Sequence, residues 1–206
     1  DGVFALNLKK RRALAEGDQP FSRFTFVIDA GHGGGDTGAI GPMGLALTEK
    51  DINLINADNL ADRLAGLGAR VIRTRVDDSE VSLRQRVELS REINPDMFIS
   101  MHANSVAHST DATNIRGITY WHRNTGSKPL ADHFMEETFN INPLTNRNRA
   151  ANQANFYVCR PAWSPSVIVE ASFICNIEDF SWLIDPARQN ELADGIVRAI
   201  LSYYRQ

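Results

Sequence analysis

The chain has 206 residues, 43% of them apolar, enough to bury one full core. Its 22 basic and 25 acidic residues leave a formal charge of -3, which offers no basic field for nucleic acid and argues against such a partner. No apolar run approaches the roughly 20 residues needed to cross a bilayer, and Asp1-Gly2-Val3 does not open a signal peptide, so a mature or trimmed chain is expected.

Residues 1–23 alternate charged and small side chains around Lys9-Lys10-Arg11-Arg12 and read as a linker or peripheral segment ahead of one domain over 24–206. Residues 24–28 read as a first strand, which delivers His32 into a loop too rich in glycine to carry a core (Gly31 to Gly38). Thr48-Glu49-Lys50-Asp51 spells a capping box, with Glu49 at the mouth of a helix. That helix places Ile52, Ile55, Leu60, Leu64 and Leu67 on one stripe and stops at Gly66 or Gly68. A strand over 70–74 completes the first strand-helix-strand unit. A helix over 83–93 and a strand over 97–102, apolar on both faces and so fully buried, form the next. Further strands are expected at 118–121, 156–158 and 167–169, and helices at 129–139 and 186–204. The asparagine-rich stretch 140–155 reads as a long loop, either a rim that touches substrate or a solvated connection. The alternation implies an α/β fold: a single domain with a twisted, mostly parallel sheet of about six strands and helices on both faces. Sites in such sheets open at the carboxyl ends of the strands, where His32, His102 and Glu170 fall.

Two imidazoles and one carboxylate from three separate elements, His32, Glu49 and His102, are the ligand set of an open, catalytic zinc site. Each also has a plainer reading. His32 fits a loop histidine, Glu49 a charge opposing the helix dipole, and His102 a buried ring bonded to a carbonyl. Glu170 ends the apolar run 167–169, where an unpartnered carboxylate costs several kcal/mol. It either pairs with Arg75 or Arg86, or serves as a desolvated proton acceptor. The glycine loop lacks the lysine and following hydroxyl residue of a phosphate-binding loop, which argues against nucleotide. Asp29 and Asp36 suit acceptors for loop amides or for a ligating imidazole. His108, His122 and His133 lie outside these patterns and read as loop or surface residues. Cys159 and Cys175 lack the spacing of a metal pair. A bridge between them needs Cα atoms within about 7 Å, which the sequence leaves open.

Four stretches occur in order: Asp29-Ala30-Gly31-His32-Gly33-Gly34, Glu49-Lys50-Asp51, Ser100-Met101-His102-Ala103-Asn104, and Val169-Glu170-Ala171-Ser172-Phe173-Ile174-Cys175-Asn176. Together they resemble the motifs of the zinc-dependent N-acetylmuramoyl-L-alanine amidases, and the likeness spans nearly the whole chain from Phe24 to Tyr204. The resemblance implies one Zn2+ per chain on His32, Glu49 and His102, with Glu170 as the catalytic acid-base and Asp29, Asp36 and Asn104 beside the ligands or the substrate. It implies hydrolysis of the amide between the lactyl group of N-acetylmuramic acid and L-alanine in peptidoglycan or muropeptides. The metal would polarise the carbonyl and acidify water. The expected setting is periplasm or cell wall, reached by an export signal absent from this chain, and the expected state is a monomer with no transmembrane segment. Ser172 and Cys175 stand where the family usually carries Gly and Ser, and Arg91 where Asn is usual; none is a ligand position. The interval between His102 and Glu170 is too short for the insertion whose helix plugs the zinc site in some relatives, so an unplugged enzyme is expected. A peptidase cutting another stem-peptide amide and a non-catalytic wall-binding module are the alternatives.

Overall fold

The computed structural model describes residues 12–142 and 151–205. Strand β1 (Thr25–Ala30) leads through the glycine loop into helix α1 (Glu49–Gly66), followed by β2 (Arg70–Arg73), α2 (Leu83–Ile93) and β3 (Met97–Asn104). Then come β4 (Thr119–His122), α3 (Lys128–Thr138), β5 (Asn152–Gln153), β6 (Ser166–Phe173), α4 (Ile177–Leu183) and α5 (Pro186–Arg205). The six strands form one sheet in the order β2-β1-β3-β6-β4-β5. Pairing is parallel throughout except between β4 and β6, so the sheet is mostly parallel, as expected.

Local chemistry sets the element ends. The Asp51 carboxylate accepts from the Thr48 N–H at 2.8 Å, closing the capping box that places Glu49 in the first turn of α1. Gly68, with φ 89°, turns the chain out of that helix, and the Ala69 N–H returns to the Leu64 carbonyl at 3.0 Å. Ser82 and Gln85 cap α2 in the same reciprocal way.

Side chains alternate across the strands, so each face of the sheet receives its own cover. Phe26, Ile28 and Ala30 of β1 enter the larger core with α1, α3 and α5, while Val27 joins Phe98, Ile168, Val158 and Cys159 on the α2 side. Asp29 shares that second face and has no apolar role there. Phe21 is fully buried against Phe24 and Phe26, ring centroids 5.6 and 5.4 Å away, so core packing reaches back into the segment read as peripheral.

Several sequence expectations need correction. Residues 156–158 form no strand: Tyr157–Cys159 is a single 3-10 turn, and the short edge strand lies earlier at β5. An exposed position at 156 and no sheet partner leave the turn to pack its Val158 and Cys159 under the sheet instead. Helix α4 was not anticipated, because its seven residues are too short to show a period; Asn176 starts it by accepting from the N–H groups of Glu178 and Asp179. Ile55 lies off the buried stripe of α1 and is exposed, whereas Asn53 and Asn56 are buried. Cys159 and Cys175 are both free thiols. Residues 1–11, 143–150 and 206, which include all of the basic cluster 9–12 except Arg12, and half of the asparagine-rich loop, lie outside the described residues.

Candidate active site

His32 stands just beyond the end of β1, Glu49 at the start of α1 and His102 near the end of β3, and the fold brings one donor atom from each to within 4.8 Å of the others. His32 Nε2 is 3.2 Å and His102 Nδ1 3.0 Å from the same Glu49 oxygen, Oε1. Donors bound at about 2.0–2.2 Å to a tetrahedral ion sit roughly 3.3 Å apart, so this spacing fits zinc. The other ring nitrogen of His32, Nδ1, is 2.8 Å from Asp36 Oδ2. A carboxylate can only accept, so Nδ1 donates to Asp36, and Nε2 is the nitrogen that would be left to offer a lone pair to a bound metal.

Two glycines explain why the loop carries no bulk. A Cβ on Gly31 would meet the His102 ring at 2.2 Å, and one on Gly38 would meet Glu49 Oε2 at 2.6 Å and His32 Cδ2 at 2.7 Å. His32 itself adopts φ 61°, a left-handed conformation that costs a β-carbon residue energy and must be held by its surroundings.

Glu49 is the most constrained member. Its Oε2 accepts from the Ala39 N–H at 2.8 Å and its Oε1 from the Ala103 N–H at 3.2 Å and Asn53 Nδ2 at 3.3 Å. Burial alone would raise its pKa, but hydrogen bonds from His102 and His32 hold the carboxyl far below the usual range. Burial opposes charge on His32, yet bonding to Glu49 and Asp36 raises its pKa to about 9. His102 is raised too: burial works against it, and the Glu49 bond and the Glu170 charge outweigh that. Two imidazoles that favour a positive charge around one carboxylate mark a place where a dication is electrostatically welcome.

Glu170 lies on β6 directly beside His102 of β3 in the parallel register. Its Oε2 is buried and has no hydrogen-bond partner among the described residues. Neither arginine considered for it is engaged: Arg86 pairs with Asp29, and Arg75 donates to backbone carbonyls. Burial, against the pull of the His102 charge, pushes the Glu170 carboxyl up to about 7. These four side chains line a cavity of about 470 Å³, walled opposite by Glu80 to Leu83 and Phe156 to Val158. Among the described residues of 140–155, none lines it; the wall follows immediately afterwards, at Phe156.

Other candidates fall differently. Asp36 contacts the imidazole as expected, but Asp29 does not. It accepts from Arg86, Thr74 and Ser100 beneath the loop because its side chain points to the α2 face. Asn104 lines the cavity with its amide 3.4 Å from Thr119 Oγ1. His108 is exposed and His133 stacks edge-on with Tyr203, whereas His122 is buried and bonded to the Asn124 carbonyl, not a surface residue. Asn53 was missed in the sequence; the usable signal was its position one turn after Glu49 on the same helix face.

The Amidase_3 family, described as N-acetylmuramoyl-L-alanine amidase, matches residues 26–202. The uncharacterized protein YqiI of Bacillus subtilis is 35% identical over 195 residues, 93% of this chain and 90% of its own length. The N-acetylmuramoyl-L-alanine amidase LytC of the same organism is 34% identical over 185 residues, 88% of this chain; the chain spans only 36% of LytC. Among solved structures, the N-acetylmuramoyl-L-alanine amidase AmiC2 of Nostoc punctiforme superposes with a TM-score of 0.80 at 34% identity, covering 89% of this chain and 98% of that one. With the family matched over most of its length and the fold shared with such enzymes, the chain belongs to the N-acetylmuramoyl-L-alanine amidase family and is an amide hydrolase.

Proposed function

We propose that this chain is a zinc-dependent amidase that cuts the bond between the lactyl group of N-acetylmuramic acid and L-alanine in peptidoglycan or muropeptides. His32, Glu49 and His102 would hold the ion, and their donor spacing and the glycine-made space around them support that assignment. Bound there, zinc supplies Lewis-acid polarisation of the scissile carbonyl and acidifies water.

The observation that carries the reading is Glu170: a carboxyl with a buried, unpartnered oxygen, set beside His102 and facing the cavity. A group so desolvated has raised proton affinity, and no described residue hydrogen-bonds to its Oε2. Glu170 takes a proton from the attacking water and passes it to the departing L-alanine amine, so neutral amine leaves and the carboxylate is restored. Asp36 fixes the tautomer of His32, and the N–H groups of Ala39 and Ala103 fix the Glu49 carboxylate.

The substrate places the working protein outside the cytoplasm, in periplasm or wall. Among the described residues no helix is long and apolar enough to cross a membrane. We read it as a monomer whose site no plug must vacate. Incubation of the metal-loaded protein with purified sacculi, followed by mass spectrometry, tests the bond assignment. Free lactyl ends on muramic acid together with peptides beginning at L-alanine are expected. Cleavage only within the stem peptide would assign the site to a peptidase, and no cleavage to a wall-binding module.

A further inference from the structure

Beneath the candidate ligands lies a polar cluster that makes no hydrogen bond to the side chains of His32, Glu49, His102 or Glu170. Arg75 and Arg86 are 4% and 3% exposed and Asp29 is fully buried, so the interior holds one ion pair, Arg86 with Asp29, and a second guanidinium that donates to backbone carbonyls. A buried charge cluster of this composition returns little net stability compared with apolar packing of the same volume. Its hydrogen bonds follow a pattern instead.

Arg75 donates through Nε to the Ala30 carbonyl at 3.0 Å, and through Nη2 to the Gly31 carbonyl at 2.9 Å and the Lys50 carbonyl at 2.7 Å. One guanidinium thereby ties the loop that carries His32 to the first turn of α1, next to Glu49. Arg86 donates to the Ala30 and His32 carbonyls, each at 2.7 Å, and pairs with Asp29. The bond to the His32 carbonyl grips the residue held at φ 61°. Asp29 in turn accepts from Ser100 at 2.5 Å, its register partner on β3, two residues before His102. All three ligand-bearing elements therefore meet at one buried clasp.

We propose that Arg75, Arg86 and Asp29 are positioning residues that set the mutual spacing of His32, Glu49 and His102, and so the affinity of the site for its ion; this rests on the metal assignment above. The clasp acts on carbonyls because a guanidinium offers five donors in a fixed plane, enough to hold several chain segments at defined distances. A lysine at position 75 has three donors on one atom and cannot reproduce the span.

The test is zinc affinity, measured by competition with a chromophoric chelator at fixed pH, with melting of the chelator-treated protein followed in parallel. Arg75→Met should weaken zinc about tenfold to a hundredfold, the range seen when groups that orient ligands are removed, and Arg75→Lys should recover only part of that loss. Wild-type zinc affinity in Arg75→Met, with only the melting temperature lowered, would make the cluster merely structural. Should Arg75→Met not fold, Arg75→Lys and Ser100→Ala decide: weaker zinc in both supports the clasp, and unchanged zinc in both overturns it. Failure of the wild-type chain to bind zinc would instead refute the metal assignment on which the clasp depends.

Discussion

Replacing Glu170 with Gln will separate stability from activity. The carboxyl is raised from 4.5 to about 7 by burial, which means that the folded state resists its ionisation. The cost is absent below 4.5, where both folded and unfolded chains hold the proton, grows between 4.5 and 7, and is constant above 7. Worked from that difference, ionised Glu170 destabilises the fold by about 3 kcal/mol. Gln is neutral and nearly isosteric, and Oε2 has no hydrogen bond to lose. Urea denaturation of chelator-treated protein at pH 8.5 should therefore show the variant more stable by about 3 kcal/mol, and melting should rise by roughly 6–12 °C. At pH 5 the advantage should shrink to under about 1 kcal/mol, since wild-type Glu170 is then protonated in the folded chain. The same variant, loaded with zinc, should release lactyl ends at least about a hundredfold more slowly. An equal stability gain at both pH values would refute the burial argument, and retained turnover would refute the role as base.

His32→Ala, Glu49→Ala and His102→Ala should each strip or greatly weaken the metal, and elemental analysis finding a full equivalent of zinc in all three would remove the assignment. Gly31→Ala should drive the His102 ring aside, since the new Cβ would lie 2.2 Å from it, and should lower zinc affinity while circular dichroism reports an intact fold. Zinc binding should release protons and weaken as pH falls below about 9, because the ion must displace the proton that His32 holds up to that value; calorimetry in buffers of different ionisation enthalpy that detects no proton release at pH 7 would contradict this.

The glycine loop, the capping box and the buried strand at 97–102 were legible in the sequence because each rests on local chemistry: missing side chains, a reciprocal cap, and an apolar run. The donor set was legible for the same reason, since strand ends and a helix start fix where His32, Glu49 and His102 emerge. What stayed hidden depends on contacts between distant segments. Arg75 and Arg86 looked like partners for Glu170, but carbonyl acceptors on the loop cannot be read from residue types. Asp29 looked like a partner for an imidazole, yet strand parity aims it at Arg86 and Ser100. The turn at Tyr157–Cys159 resembles a strand in composition; only its place under Ile168 and Trp121 shows why it is not one.

His102 and Glu170 occupy neighbouring positions on two adjacent parallel strands. Their backbones are thus separated by the hydrogen-bonding interval of a β-sheet, about 4.8 Å, a length that no connecting loop can alter. The wall of the cavity, by contrast, comes from residues 80–83 at the start of α2 and from the segment at Phe156 to Val158, neither of which is a strand of the sheet. Reactive geometry and molecular recognition are consequently written in different parts of the chain. Insertions or exchanges at 80–83 or 156–158 can reshape the cavity while the spacing between the backbones of His102 and Glu170 stays that of the sheet.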